Sequence, residues 1–122
     1  KKGGLKASSP FVILGDLNAS NVDGSAISSG ISSLLTHNNI QDVMPQSQGA
    51  KEHTLDKENA KHHTAFWRMR ADYVLPSKTG IDIKNSGVYW PTVDEDTFRL
   101  IKDRAASSDH RMVWVDILLK SK

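Results

Sequence analysis

Short apolar runs, separated by polar stretches, are the main constraint on the fold of this chain. Phe11 to Leu14 is continuously apolar and stops at Gly15, which is typical of a strand buried on both faces. Further runs predict strands from Arg70 to Leu75, from Ile81 to Trp90 and from Met112 to Leu119. A chain with this pattern is expected to fold around a sheet.

Two other segments have the pattern of a helix. Asp23 can cap a helix, and apolar residues recur at helical spacing from Ile27 to Leu35. Thr92 and Glu95 form a capping box, which predicts a short helix through about Lys102. One amphipathic helix and one short helix therefore accompany the strands.

The remaining segments are predicted as loops. Residues 1–9 form a polar, flexible lead-in, and residues 45–63 form a long polar loop. Gly87, inside a predicted strand, indicates a β-bulge.

The predicted fold class is α/β (α+β), with a mixed, mainly antiparallel sheet. With 122 residues, the chain is one domain or a piece of one. Two helices cannot cover both faces of a sheet of about five strands. We therefore expect one apolar sheet face to pair with another copy of the chain or with a partner chain.

Composition excludes some kinds of site and leaves the substrate open. The chain has no cysteine, so any metal takes oxygen or nitrogen ligands rather than thiolates. The net charge of +2 comes from scattered lysines and arginines, and it does not select a substrate. No apolar run approaches the roughly 18 residues of a membrane span.

Polar side chains that could take part in catalysis or metal binding flank the strands at three places. Asp16 and Asn18 follow the first strand and point the same way in extended backbone. Asp72 interrupts a strand-like run, where a charge needs a partner. Asp109 and His110 precede the last strand. Carboxylates, an amide and an imidazole suit hydrolysis of a phosphate ester with a hard divalent cation.

Each of these places also has a simpler explanation. Asp16 and Asn18 alone are equally typical of an Asx-turn, and Asp72 alone is typical of an ion pair, for example with Arg70. An Asp-His dipeptide alone is usually part of a polar loop. The occurrence of all three, each at a strand edge, favours a shared site.

A histidine-rich loop and several aromatic residues leave further alternatives. The histidines are His53, His62 and His63, and the aromatic residues are Phe66, Trp67 and Trp90. The loop is either a metal-binding or nucleic-acid-binding segment or, as we favour in the absence of zinc spacing, a solvated loop. The aromatic rings either stack on a base or, as we favour, pack in the core.

Three motifs occur in a diagnostic order. They are Gly15-Asp16-Leu17-Asn18, Arg70-Ala71-Asp72-Tyr73 and Ser108-Asp109-His110. They resemble the GD-x-N, R-x-DY and SDH motifs of the endonuclease/exonuclease/phosphatase superfamily, over roughly residues 10–118. Flanking segments resemble a bacterial, often secreted branch, which implies secretion or a periplasmic location.

The resemblance implies a role for each matched residue. Asp16 would activate or position the attacking water, and Asn18 would orient it and hydrogen-bond the phosphate. Asp72 would orient and charge-stabilise His110. His110 would contact the scissile phosphate and stabilise its developing charge.

The resemblance also implies a metal cofactor, which is Mg²⁺ or alternatively Mn²⁺ or Ca²⁺. Asp109 and Asp16 would hold the metal, directly or through water. Thr64 would join Asn18 as a substrate-binding residue, through a supporting hydrogen bond. Arg70 is also predicted to bind substrate, because its charge can steer an anionic group.

The family fold is a DNase I-like two-sheet αβ sandwich whose amino-terminal half carries the main metal-binding Glu. Residues 10–119 resemble only the carboxyl-terminal half, so we expect the missing half to be a partner. The expected function is a fragment of a divalent-metal-dependent phosphoesterase, of the nuclease or phosphatase type, with little or no activity alone. The alternative is a non-catalytic binding module on the same fold. The expected substrate is a phosphoester, nucleic acid included.

Overall fold

The computed structural model describes residues 3–24, 28–53 and 58–121. Its strands are β1 (Val12–Asp16), β2 (Asp72–Pro76), β3 (Ile81–Val88) and β4 (Val113–Leu119). Its α-helices are α1 (Ser28–Leu35) and α2 (Gln48–His53), and short 3-10 helices cover Ala60–His62 and Asp96–Leu100. Within these ranges, none of the helices has the length and apolar character that a membrane crossing requires.

In the described part of the chain, the strands form two antiparallel pairs, β1 with β2 and β3 with β4. This confirms the predicted α/β class with mainly antiparallel strands. In the first pair, Val12 lies opposite Pro76 and Asp16 lies opposite Asp72. Strand β4 also approaches β2. The register therefore joins two motifs that are far apart in sequence at one end of the β1–β2 pair.

The core beneath this end lies between α1 and the β1–β2 pair. Tyr73 and Leu75 of β2 are fully buried and pack with Ile31 of α1 and with Ile40. Side chains alternate between the two faces of a strand, so one face of β2 supplies this core. Leu14 of β1 is 70% exposed, so the prediction of a first strand buried on both faces is wrong.

Helix α1 confirms the predicted amphipathic helix, although Ile27 lies outside the described residues. Asp23 is predicted as its cap, but residues 25–27, which such a cap would bond, lie outside the described residues; the Asp23 side chain lies 3.4 Å from His63 Nε2. Its Oδ2 also accepts a hydrogen bond of 3.4 Å from the Ser20 hydroxyl. The Asp23 carboxylate therefore makes buried contacts with His63 and Ser20.

The prediction of a loop over residues 45–63 is wrong, because α2 and a 3-10 helix lie there. Gly49 explains the packing of α2. A Cβ atom on Gly49 would lie 2.2 Å from the Trp90 carbonyl oxygen and 2.5 Å from that of Pro91. The helix packs through a close backbone approach rather than through an apolar stripe, so the hydrophobic pattern does not reveal it.

The predicted capping box forms in part. Glu95 Oε1 accepts a hydrogen bond of 2.9 Å from the Thr92 backbone N–H. The element that follows is the 3-10 helix Asp96–Leu100, which ends before Lys102.

Strand β3 contains a bulge, but the bulge lies between Ile83 and Asn85 rather than at Gly87. Gly87 pairs with Trp114 across the β3–β4 ladder. A Cβ atom on Gly87 would lie 2.7 Å from Trp114 Cζ2. Glycine is required at this position because the indole ring occupies the space of a side chain.

Large apolar side chains are exposed on β1 and β4. They are Leu14, Ile117, Leu118 and Leu119, with exposed fractions from 41% to 70%. The partner layer expected from the sequence stays a prediction.

We predict that Gly87→Ala lowers the free energy of unfolding by about 1–3 kcal/mol, because the added methyl group displaces the Trp114 indole. Gly30→Ala is the matched control, since a Cβ atom at Gly30 meets no atom within 4 Å. The control should be neutral or slightly stabilising, because Ala favours a helix. Urea denaturation measures the free energy of unfolding of both variants. Equal stability of Gly87→Ala and the unmodified chain would contradict the packing of the Trp114 indole over Gly87.

Candidate active site

Asp16 and Asn18 lie where strand β1 ends. Asn18 has a φ of 45°, in the left-handed region that Asn tolerates. Its backbone N–H donates a hydrogen bond of 2.7 Å to Asp16 Oδ1. The Asx-turn considered from the sequence is therefore present, and it leaves Asp16 Oδ2 for other contacts.

His110 is held by Asp72 across two distant segments. The His110 Nδ1 atom lies 2.9 Å from Asp72 Oδ2 and 3.1 Å from Asp72 Oδ1. The backbone N–H of His110 donates to the Ser108 hydroxyl, and His110 forms an isolated β-bridge with Ala65. These bonds fix both the ring and the backbone of His110.

Thr64 supports Asp72 from behind. Its hydroxyl donates a hydrogen bond of 2.7 Å to Asp72 Oδ2 and accepts bonds of 3.0 Å from the backbone N–H groups of Ala71 and Asp72. Thr64 is 1% exposed. Its bond to Asp72 fits the supporting hydrogen bond that the resemblance implies, and its role as a substrate-binding residue stays a prediction.

Asp16 faces the second ring nitrogen of His110. The distance from Asp16 Oδ2 to His110 Nε2 is 3.9 Å, which is too long for a direct hydrogen bond. One ligand atom from each of Asp16, Asp72 and His110 lies within 4.8 Å of the others. Asp16 and Asp72 also line a cleft of about 220 Å³ between β1, β2 and the start of β4. The three predicted residues therefore converge at one accessible place.

Trp67 completes the surroundings of His110. The two rings meet edge to face, with centroids 4.9 Å apart and an interplanar angle of 83°. Trp67 is 45% exposed and Phe66 is 38% exposed, so the prediction that these rings pack in the core is wrong. Trp90 is buried, as predicted. The local sequence does not distinguish the exposed rings from the buried one. Phe66 and Trp67 are exposed because they lie on a tight turn, in which Arg68 has a φ of 71°.

The charges around His110 act on its protonation. Burial lowers the pKa of His110, but the hydrogen bond and charge of Asp72, with the charges of Asp16 and Asp109, outweigh this effect. The pKa of His110 is therefore raised above 6.5. The site favours an imidazolium ring over neutral imidazole more than water does.

Asp109, predicted as a metal ligand, lies near this group but does not join it. Its Oδ2 atom pairs with Arg104 at 2.5 Å. Its carbonyl oxygen accepts a hydrogen bond of 2.8 Å from the Phe66 backbone N–H. In this structure Asp109 mainly fixes the loop that precedes His110.

Arg70, predicted as a substrate-binding residue, lies elsewhere in the structure. It is buried and donates two hydrogen bonds to Asp42, of 2.8 and 2.6 Å. Its guanidinium group also stacks on the Tyr73 ring at 4.3 Å. The bidentate ion pair engages both terminal nitrogens of Arg70 inside the protein, so Arg70 has a structural role here. It does not pair with Asp72 either.

The histidines of the 45–63 segment have separate contacts. His62 Nδ1 lies 2.9 Å from the Pro45 carbonyl oxygen, and His53 Nε2 lies 3.1 Å from that of Phe66. Among the described residues, the group of Asp16, Asp72 and His110 that could hold a metal includes none of these histidines.

We predict that Asp72→Asn lowers the pKa of His110, because it removes the neighbouring charge and keeps the shape of the side chain. NMR titration of the His110 ring measures this directly, with Asp82→Asn on the far strand β3 as the control. A group with a raised folded-state pKa stabilises the fold below about pH 6.5, and this contribution is lost as pH rises through the raised pKa. An unchanged His110 titration in Asp72→Asn would contradict the pairing.

Comparison with known proteins agrees with the geometry. The model of the Endonuclease/Exonuclease/phosphatase family matches residues 1–110, which include the GD-x-N, R-x-DY and SDH segments. Comparison with curated proteins found no match. Comparison with solved structures also found none.

Proposed function

The chain belongs to the endonuclease/exonuclease/phosphatase family, and from this premise we propose that it forms part of a divalent-metal-dependent phosphoesterase of the nuclease or phosphatase type. The observation that supports this most is the bond between Asp72 and His110, with Asp16 facing the other ring nitrogen. The family is generally hydrolytic and typically uses divalent metals.

In this proposal, His110 contacts the phosphoryl group through Nε2. Because Nδ1 donates its hydrogen bond to Asp72, Nε2 is the ring nitrogen left for a substrate. The raised pKa of His110 favours the protonated ring. An imidazolium N–H that is already oriented can stabilise charge developing on a phosphoryl oxygen.

Asp16 is the carboxylate that we propose for the metal. Its side chain is 46% exposed, and its Oδ2 atom is directed toward His110. Both oxygens of Asp72 already accept bonds, from His110 and Thr64. A half-exposed carboxylate oxygen is the kind of ligand that Mg²⁺ or Mn²⁺ takes, so Asp16 suits the family's metal.

When bound, the metal would neutralise phosphate charge and lower the pKa of a coordinated water. The residues of this chain would orient the phosphate and the water relative to the metal. Asn18, which closes the turn around Asp16, would hydrogen-bond the phosphate or water. Asp109 would add a ligand only after its ion pair with Arg104 opens.

The number of available carboxylate ligands also affects how well the chain by itself would bind the metal. Mg²⁺ takes near-octahedral oxygen coordination, usually with one or two carboxylates and several waters. The described cluster offers one carboxylate that is not already hydrogen-bonded to a neighbouring side chain, that of Asp16. One carboxylate is at the low end of this range, so we propose that the complete site takes a further ligand from outside the described residues. The chain alone would then bind the metal weakly.

We predict that Asp16→Asn weakens Mn²⁺ binding by about tenfold or more, because it removes the proposed ligand charge. Calorimetric titration, with paramagnetic broadening of the His110 ring signals, measures this. Asp82→Asn is the matched control, since Asp82 is half-exposed and pairs with Lys120 on the β3–β4 sheet. Equal Mn²⁺ affinity in the two variants would remove Asp16 from the proposal.

We also predict little or no Mg²⁺-dependent hydrolysis of bis(p-nitrophenyl) phosphate by the 122-residue chain. Release of p-nitrophenol, compared between the unmodified chain and His110→Gln, measures this. Sustained turnover that His110→Gln abolishes would show that the chain needs no further ligands. Turnover unaffected by His110→Gln would contradict the proposed site.

A further inference from the structure

A second pair of titratable side chains lies buried beside the candidate site. His63 is 0% exposed and Asp23 is 6% exposed, and His63 Nε2 lies 3.4 Å from Asp23 Oδ2. Neither residue belongs to the Asp16, Asp72 and His110 group. Burial of a carboxylate is unfavourable without a partner, so a pair in this position requires a structural or functional reason.

Asp23 closes the loop that carries Asn18. The Ser20 hydroxyl accepts bonds from the backbone N–H groups of Val22 and Asp23 and donates to Asp23 Oδ2. Residues 20–23 are therefore a closed turn, and the Asp23 side chain extends from that turn to His63. Asn18 lies on the short segment between strand β1 and this turn.

The same loop is attached to strand β2 at its beginning. The Leu17 backbone N–H donates to the Ala71 carbonyl oxygen at 2.9 Å. The Tyr73 hydroxyl donates to the Ala19 carbonyl oxygen at 2.8 Å. Asp23 and His63 add an attachment at the far end of the loop, to a different segment of the chain.

His63 leads directly to the support of Asp72. It ends the 3-10 helix Ala60–His62 and precedes Thr64. The Thr64 hydroxyl bonds Asp72, and Asp72 in turn bonds His110. The contact between His63 and Asp23 thus joins the backbone of the Asn18 loop to the backbone that supports His110.

We propose that Asp23 and His63 are positioning residues, a buried brace that sets the Asp16–Asn18 arm of the site against the Thr64–Asp72–His110 arm. This inference rests on the proposed function, since it gives the brace a metal and phosphate site to align. Neither side chain touches substrate. The brace acts by fixing the Asn18 loop, because outer residues that orient ligands commonly change metal affinity by about 10–100-fold.

The test compares Asp23→Asn and His63→Gln with His62→Gln in the full chain. His62 is the matched control, because it is a neighbouring buried histidine whose bond goes to the Pro45 carbonyl oxygen. Amide hydrogen exchange is measured at Leu17 and Asn18 and, for reference, along β3 and β4. Mn²⁺ affinity and broadening of the Asn18 amide signal are measured in the same samples.

We expect both brace variants to exchange the Leu17 and Asn18 amides about tenfold faster or more, with β3 and β4 unchanged. We also expect Mn²⁺ affinity to fall about tenfold, with loss of the Asn18 broadening and retention of the His110 broadening. His62→Gln should change neither quantity. Faster exchange throughout the chain, or no change at Leu17 and Asn18, would overturn the brace.

Two further outcomes keep this inference separate from the proposed function. If the unmodified chain shows no Mn²⁺ broadening near Asp16 but the exchange pattern is as expected, the metal site fails and the brace stands. If Asp23→Asn does not fold, His63→Gln carries the test, because it removes the imidazole from the same contact and leaves the Ser20–Asp23 turn bonds in place. No change at the Leu17 and Asn18 amides in His63→Gln would overturn the brace.

Discussion

The site depends on one hydrogen-bonded contact, that between the Asp72 carboxylate and His110 Nδ1. Asp72 begins strand β2 and His110 precedes strand β4, so this bond joins two motifs that are 38 residues apart. The antiparallel register of β1 and β2 places Asp16 opposite Asp72. Without the bond, the imidazole would lose the hydrogen bond that sets its orientation toward Asp16.

The environment of Asp72 explains why its carboxylate bonds His110 rather than Arg70. Asp72 lies two residues after Arg70 in the motif, yet the Arg70 side chain is buried and pairs with Asp42. Asp72 is therefore left to interact with Thr64 and His110. A cationic partner on Asp72 would have weakened its effect on the imidazole, because the pKa of His110 is raised by that carboxylate.

Much of this arrangement can be predicted from the sequence, and the remainder cannot for physical reasons. Strands β2 and β4 and helix α1 follow from apolar periodicity, and the order of the three motifs indicates the family. Helix α2 is missed because it depends on the close approach of Gly49 to distant backbone. The Arg70–Asp42 pair is missed because its partners lie 28 residues apart. The exposure of Leu14 and Trp67 depends on tertiary packing, which local pattern does not contain.

A crystal structure grown with Mn²⁺ and inorganic phosphate tests the account most directly. The account predicts an anomalous Mn²⁺ peak coordinated by Asp16, with a phosphate oxygen within hydrogen-bond distance of His110 Nε2 and with Nδ1 still bonded to Asp72. Phosphate bound elsewhere, or a His110 ring turned away from both Asp72 and Asp16, would contradict it.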